Sequence, residues 1–408
     1  MRVIKDSLIY LIGELFAKSL PFLMLPYLTR KLGPEGFGEL SYYLTWLALF
    51  GIFIGLSQEG AVTRYFYFYG KKALNTVVTA GYLYNIVISL ILLLGCLFFN
   101  AEIMAYIVLA TMFQSFINVQ LALRQCQKQP LKYITIQIIL SLTNVIFTIT
   151  ALEAFNNDLV AYRVLAIVVA NALTFFIVSV VLGNLFSSEN KITVRRLKLG
   201  VLYIFSFGIP LILHQSSFFV KGQLDRLFIY EQYSKAELGV YSAGVQIAAI
   251  LPVIFMALNK AIVPYYYQGL KDSSLNVVKI KKYALYSLPL SVLPAVLGWV
   301  FPEAIYIWFL GASYTGSKYY IVIYLLGFGL SLPYLILVNY FFYYGRNVMI
   351  GIVTFGTSLI YILLLSYTSQ LSIKLIPYSL ILSNLMMVII LYLLILDKSF
   401  SLKLDGSN

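Results

Sequence analysis

Runs of apolar residues long enough to cross a bilayer recur along almost the whole chain, separated by short polar stretches. A spanning helix needs about 20 mostly apolar residues. Twelve windows meet that length, at roughly 7–29, 38–61, 77–99, 103–123, 133–153, 162–186, 199–221, 237–262, 284–308, 319–343, 348–367 and 375–396. The pattern predicts an all-α integral membrane protein of about 12 transmembrane helices. The longest connection, about twenty residues, is expected around 263–283. The first window is read as a span and not as a signal peptide: Glu14 and Lys18 interrupt its apolar run and no A-x-A site follows.

Composition agrees with the pattern. Hydrophobic residues make up 61% of the 408 and charged residues 11%, against about 45–50% and about 25% in soluble domains. The net charge of +13 would point to nucleic acid in a soluble chain, but topology accounts for it. With the N-terminus in the cytoplasm, nineteen Lys and Arg residues fall on the inner side, among them Arg64, Lys71, Lys72, Arg195, Arg196 and Lys198, and eight fall on the outer side. That bias places both termini in the cytoplasm and leaves no need for a nucleic-acid partner. Cys96 and Cys126 sit near opposite ends of consecutive spans, too far apart to pair, and no Cys/His metal spacing occurs.

An internal repeat organises the spans. Phe37-Gly38-Glu39-Leu40-Ser41 opens the second, and Leu238-Gly239-Val240-Tyr241-Ser242 opens the eighth, 201 residues later. The register continues to Gln58-Glu59-Gly60 and Asn259-Lys260-Ala261, and aromatic runs follow both. Leu20-Pro21-Phe22 and Leu28-Thr29-Arg30 find counterparts in Ile209-Pro210-Leu211 and Leu224-Asp225-Arg226. The expected architecture is two pseudo-symmetric six-helix lobes, 1–196 and 197–408, around a central cavity.

Motifs for chemistry are missing. There is no G-x-x-x-x-G-K-[ST], G-x-S-x-G or H-E-x-x-H, and His214 is the lone histidine. The chain reads as a transporter and not an enzyme, with no catalytic or metal-ligating residues.

The run Pro21-Phe22-Leu23-Met24-Leu25-Pro26-Tyr27-Leu28-Thr29-Arg30-Lys31-Leu32-Gly33-Pro34-Glu35-Gly36-Phe37-Gly38 resembles the opening of the bacterial Wzx-type polysaccharide repeat-unit flippases, and the segment from Asp225-Arg226 to Tyr241-Ser242 resembles the family too. These flippases share a superfamily with MATE multidrug exporters and lipid II flippases. The motif match covers spans one, two, seven and eight, and Gly33, Pro34 and Gly38 mark a turn and a helix start. The resemblance implies alternating access in the bacterial inner membrane. The cargo implied is an undecaprenyl-diphosphate-linked oligosaccharide of O-antigen or capsule. Membrane lipids, a polysaccharide polymerase and a chain-length regulator are the implied partners. No cofactor is implied, and an H+ or Na+ gradient is left open as the energy source.

Ionisable groups inside spans cost about 2.5–3.5 kcal/mol at a helix centre and face the bundle interior. Glu14 and Lys18, four apart, share a face: they form an intrahelical pair, or Lys18 lines the cavity and meets the diphosphate. Glu59 and Lys260, equivalent in the repeat, either reach headgroups or close the cytoplasmic mouth as an ion pair. His214 is a proton site or an interhelix hydrogen-bonding group. Lys221, Asp225 and Arg226 act at the periplasmic mouth or anchor the interface. Two other readings stay open, a multidrug or small-solute exporter of the same superfamily and a membrane enzyme of polysaccharide assembly.

Overall fold

The computed structural model describes residues 19–181 and 193–395. Among them there is no β-strand, and eleven helices are long and apolar enough to cross a membrane. The chain divides into two compact units, Met1–Phe219 and Val220–Asn408. The repeat puts the lobe boundary at 196/197, whereas the compact units divide further along, within one helix.

The first unit contains α1 (Leu25–Gly55), α2 (Gln58–Phe68), α3 (Leu74–Phe98), α4 (Glu102–Cys126), α5 (Pro130–Ala154), α6 (Leu159–Val181) and the start of α7 (Val194–Gln232). Inside α1, Gly33 turns the chain with φ +66° and ψ 176°, a conformation glycine takes without a Cβ clash. Pro34, whose fixed φ suits a helix start, opens the next segment. The turn between the first and second apolar windows therefore falls where the Gly33-Pro34 dipeptide places it. Of the first window, residues 7–18 lie outside the described residues.

A second break separates α1 from α2. Leu56 and Ser57 both adopt left-handed φ, 42° and 52°, rare for side chains larger than glycine. Local packing holds them there. Leu56 is buried, and α7 approaches so closely that a Cβ on Gly208 would meet the Leu56 carbonyl oxygen at 2.4 Å. Gln215 Nε2, further along α7, donates to Ser57 Oγ at 2.9 Å.

Helix α4 is the hub of this unit and packs on α1, α2, α3, α5 and α6. It buries Thr111, Ser115 and Gln120, as a span surrounded by protein can when neighbours supply hydrogen-bond partners. One end of the unit is tied by Lys31, whose Nζ lies 2.9 Å from Glu153 Oε2, and by the Tyr27 hydroxyl, which donates to Glu153 Oε1 at 2.7 Å. At the opposite end Tyr65, Ala73 and Arg196 come together.

The second unit contains the rest of α7, α8 (Lys235–Ala248), α9 (Ile250–Lys271), α10 (Val277–Val300), α11 (Glu303–Leu310), α12 (Ser317–Gly329), α13 (Ser331–Tyr343), α14 (Asn347–Leu371) and α15 (Ile376–Leu394). A capping box starts α8: Ser234 Oγ accepts from the Glu237 amide, and Glu237 Oε2 accepts from the Ser234 amide. The eighth and tenth windows are each split, α8 from α9 and α12 from α13. Pro252 and Pro333 sit in the first turn of the second piece, where a missing N–H costs no ladder bond. The α12–α13 pair is the hub, packing on α8, α9, α10, α14 and α15. In both units the fourth span of six is central.

Two boundaries differ from expectation. The long connection at 263–283 is helical through Lys271, because Pro264 is absorbed within α9, and the loop shrinks to 272–276. The window at 284–308 is two helices. The chain leaves α10 at Val300, and Pro302 restarts it as the short α11. Cys96 and Cys126 are both free thiols.

Candidate functional site

Polar groups buried among apolar helices gather at three places, one in the second unit and two in the first. In the second unit they lie along the C-terminal half of α7. Lys221 and Asp225, four residues apart, share a face, and α14 presents Thr357 and Tyr361 with the same spacing. Lys221 Nζ donates to Thr357 Oγ1 at 2.9 Å and lies 3.8 Å from Met387 Sδ on α15. One turn along, the Asp225 carboxylate is 2% exposed. It accepts from the Tyr324 hydroxyl at 2.6 Å and from the Tyr241 hydroxyl, and these two hydroxyls also contact each other.

Arg226 completes the cluster. Its Nη1 is 3.4 Å from Asp225 Oδ1 and donates to the Gly222 carbonyl at 2.7 Å and to Gln223 Oε1 at 2.9 Å. Tyr361 is fully buried, and its hydroxyl has no hydrogen-bond partner among the described residues. Arg226 thus pairs with the carboxylate, Lys221 lies one turn back on Thr357, and three tyrosines from α8, α12 and α14 surround the site. The arrangement is a net-cationic, hydroxyl-rich patch in apolar surroundings, chemistry suited to holding anionic or sugar-like groups.

In the first unit an amide network stitches the break after α1. Gln58 Nε2 donates to the Gly81 carbonyl at 3.1 Å and to Asn85 Oδ1, and Asn85 Nδ2 donates to Ser115 Oγ at 2.9 Å. The equivalent position in the repeat behaves alike: Asn259 Oδ1 accepts from Asn339 Nδ2 at 2.8 Å. At this repeat position Gln58 and Asn259 each bond within their own unit. Their charged neighbours point elsewhere, with Glu59 half-buried and Lys260 exposed.

The third place is Arg163 on α6. Its Nη2 donates to Asn144 Oδ1 on α5 at 3.2 Å. Its Nε and Nη1 are buried with no hydrogen-bond partner among the described residues. Buried guanidinium donors without partners are costly, so a group that accepts from them would be held strongly.

Lys221 and Arg226 lie on the same helix with different partners, Lys221 on Thr357 and Arg226 beside Asp225. His214 lies apart in the first unit, exposed, with its ring edge-on to Phe218 at 4.9 Å. Glu14 and Lys18 lie outside the described residues. Arg163 and Tyr324 were not among the residues singled out from sequence. Arg163 was counted only as an outer-side charge, although its position just inside the apolar window 162–186 was a signal. Tyr324 carries no signal in one sequence, since tyrosines are frequent throughout.

Comparison with known proteins adds three findings. A family model described as "Polysaccharide biosynthesis protein" matches residues 3–270. "Lsg locus putative protein 1" of Haemophilus influenzae is 48% identical over 392 residues, covering 96% of this chain and 98% of that protein. Among solved structures, the inward closed lipid II flippase MurJ aligns over 97% of this chain and 87% of its own, with TM-score 0.72 and 13% identity. An inward-facing MATE multidrug resistance transporter aligns over 91% and 93%, with TM-score 0.65 and 14% identity. At such identities the likeness is one of fold.

Proposed function

This chain belongs to the polysaccharide biosynthesis protein family, and from that membership we propose that it is a flippase for undecaprenyl-diphosphate-linked oligosaccharide repeat units. It moves them from the cytoplasmic to the periplasmic leaflet of the bacterial inner membrane by alternating access, with both termini in the cytoplasm. The observation that carries this reading is the family match over residues 3–270. The fold shared with a lipid II flippase supports it, and so does the chemistry of the buried cations.

The physical task is to carry sugar and diphosphate past hydrocarbon while the polyprenyl tail stays in lipid. Arg163 offers two buried donors without partners, as a diphosphate would require. Lys221 and Arg226 together exceed the single charge of Asp225. Lys18 is the further cation proposed to meet the cargo, with Glu14 beside it. A cavity for cationic drugs would favour the opposite sign, which argues against the multidrug reading. His214, with its ring on Phe218, is proposed as the proton site if a gradient drives the cycle. Polymerase and chain-length regulator are the proposed downstream partners.

A deletion strain tests the proposal. It is expected to lose surface polysaccharide and to accumulate lipid-linked repeat units on the inner leaflet. The wild-type gene restores both, whereas Lys18→Ala and Arg163→Ala, present at wild-type levels in the membrane, do not. Unchanged polysaccharide in the deletion strain would sink the reading and move it to a small-solute exporter.

A further inference from the structure

We infer that the Lys/Arg-rich end of the first unit carries a binding site for the phosphate headgroup of an anionic membrane phospholipid, separate from any cargo site. A cavity of about 200 Å³ opens there between the end of α2 and the starts of α3 and α7. Its lining is Tyr65 from α2, Thr76 and Val77 from α3, and Arg196, Leu199 and Tyr203 from α7.

The walls are unlike in chemistry, and the difference identifies the occupant. Val77 is buried while Leu199 is 61% exposed, so the apolar side opens towards where acyl chains lie. Tyr65 and Tyr203 pack edge-on at 5.3 Å, and Tyr69 extends the group, 5.1 Å from Tyr65 and 6.0 Å from Tyr203. The Tyr203 hydroxyl is tied back to the Ala61 carbonyl at 3.3 Å, which fixes that wall. Amphipathic rings of this kind settle at headgroup depth.

The polar wall is cationic. Arg196 lines the cavity itself, on an exposed turn whose start is tied by Thr193 Oγ1 accepting from the Arg196 amide at 3.4 Å. No Asp or Glu is among the lining residues. The same chain segments carry further exposed cations, Lys71 and Lys72 in the α2–α3 connection and Arg195 and Lys198 on α7. Arg64 is occupied differently, with its guanidinium over Phe68 and Phe207 at 5.7 and 5.9 Å, and Lys71 leans on Phe66 at 5.5 Å. Basic pockets between spans, beside an anionic leaflet, are filled by lipid headgroups. A zwitterionic lipid lacks the net charge to match, and a free phosphate would leave the apolar wall uncovered. The seated lipid would touch three helices at once and hold the start of α7 against α2 and α3.

The full-length protein in detergent, titrated with phosphatidylglycerol, with phosphatidylcholine and with inorganic phosphate, tests this by native mass spectrometry and thermal unfolding. Phosphatidylglycerol is expected to bind and to raise the unfolding midpoint, and phosphatidylcholine to do neither. Arg196→Ala should weaken phosphatidylglycerol binding about fivefold or more. Lys198→Ala, which removes the same charge from outside the cavity, should change it less than twofold. The effect of Arg196→Ala should also shrink in high salt. Equal losses in the two variants would mean a diffuse basic surface and overturn the site. Equal binding of both lipids would overturn the headgroup, and the same stabilisation by inorganic phosphate alone would overturn the lipid.

Discussion

Asp225 shows how one side chain can hold several spans. Its carboxylate accepts from Tyr241 on α8 and Tyr324 on α12 while lying beside Arg226 on its own helix. Removing one hydroxyl leaves the carboxylate with its other partners, so Tyr241→Phe and Tyr324→Phe should each cost about 0.6–1.7 kcal/mol, the range for side-chain hydrogen bonds between membrane helices. Asp225→Ala removes the acceptor that two buried hydroxyls share and leaves Arg226 uncompensated, and should cost about 3–5 kcal/mol. Unfolding midpoints of the purified variants check the order, and an Asp225→Ala no worse than either Tyr→Phe would contradict it. Much of this cluster was legible in sequence. Lys221, Asp225 and Arg226 stand out as a charged cluster at the end of the apolar window 199–221. Their partners do not, because Tyr324 and Thr357 are ordinary residues brought in by packing from 99 and 136 positions away. Arg163 fell between the two cases: visible as a charge, but its reach to Asn144 needed the positions of α5 and α6.

At the level of helices, the breaks carry more information than the spans. Period and length were enough to find eleven apolar helices, since a bilayer leaves the backbone little alternative to helix. Breaks depend on local contacts, and only some have a local signature. Gly33-Pro34 announces its turn, and Pro302 announces the start of α11. Leu56-Ser57 announces nothing, since neither residue favours a left-handed conformation. That break is imposed by α7 through Gly208 and Gln215. Gly208→Ala would drive a methyl group to 2.4 Å from the Leu56 carbonyl oxygen, and is expected to destabilise by about 1–3 kcal/mol. Gly51→Ala, with nothing within 4 Å of the added carbon, should be neutral or slightly stabilising because alanine is the better helix former. Thermal unfolding of the two variants separates these outcomes. Equal midpoints would show that α7 does not impose the break. The long connection expected at 263–283 was misjudged for a related reason: Pro264 reads as a stop in sequence, but a helix with packed neighbours continues through it.

For the whole molecule, the repeat gives the strongest organising statement. Both compact units place their fourth span at the centre and tie an amide one residue before a charged position, Gln58 before Glu59 and Asn259 before Lys260. The repeat is the ground for proposing that Glu59 and Lys260 close the cytoplasmic mouth as a pair. Transport by Glu59→Lys and Lys260→Glu should each fall at least tenfold, and the double swap should recover most of the loss. A double swap no better than the singles would remove the pairing.

The left-handed pair at Leu56 and Ser57 also bears on how this chain has been selected. A sequence drifting towards greatest stability would accept glycine at one of these positions, since glycine alone adopts that conformation freely. Retaining a leucine and a serine keeps side chains that α7 can grip, one by shape and one by hydrogen bond. Drift at positions 56, 57, 208 and 215 is therefore coupled, and descendants of this chain should exchange those four residues together or keep them all.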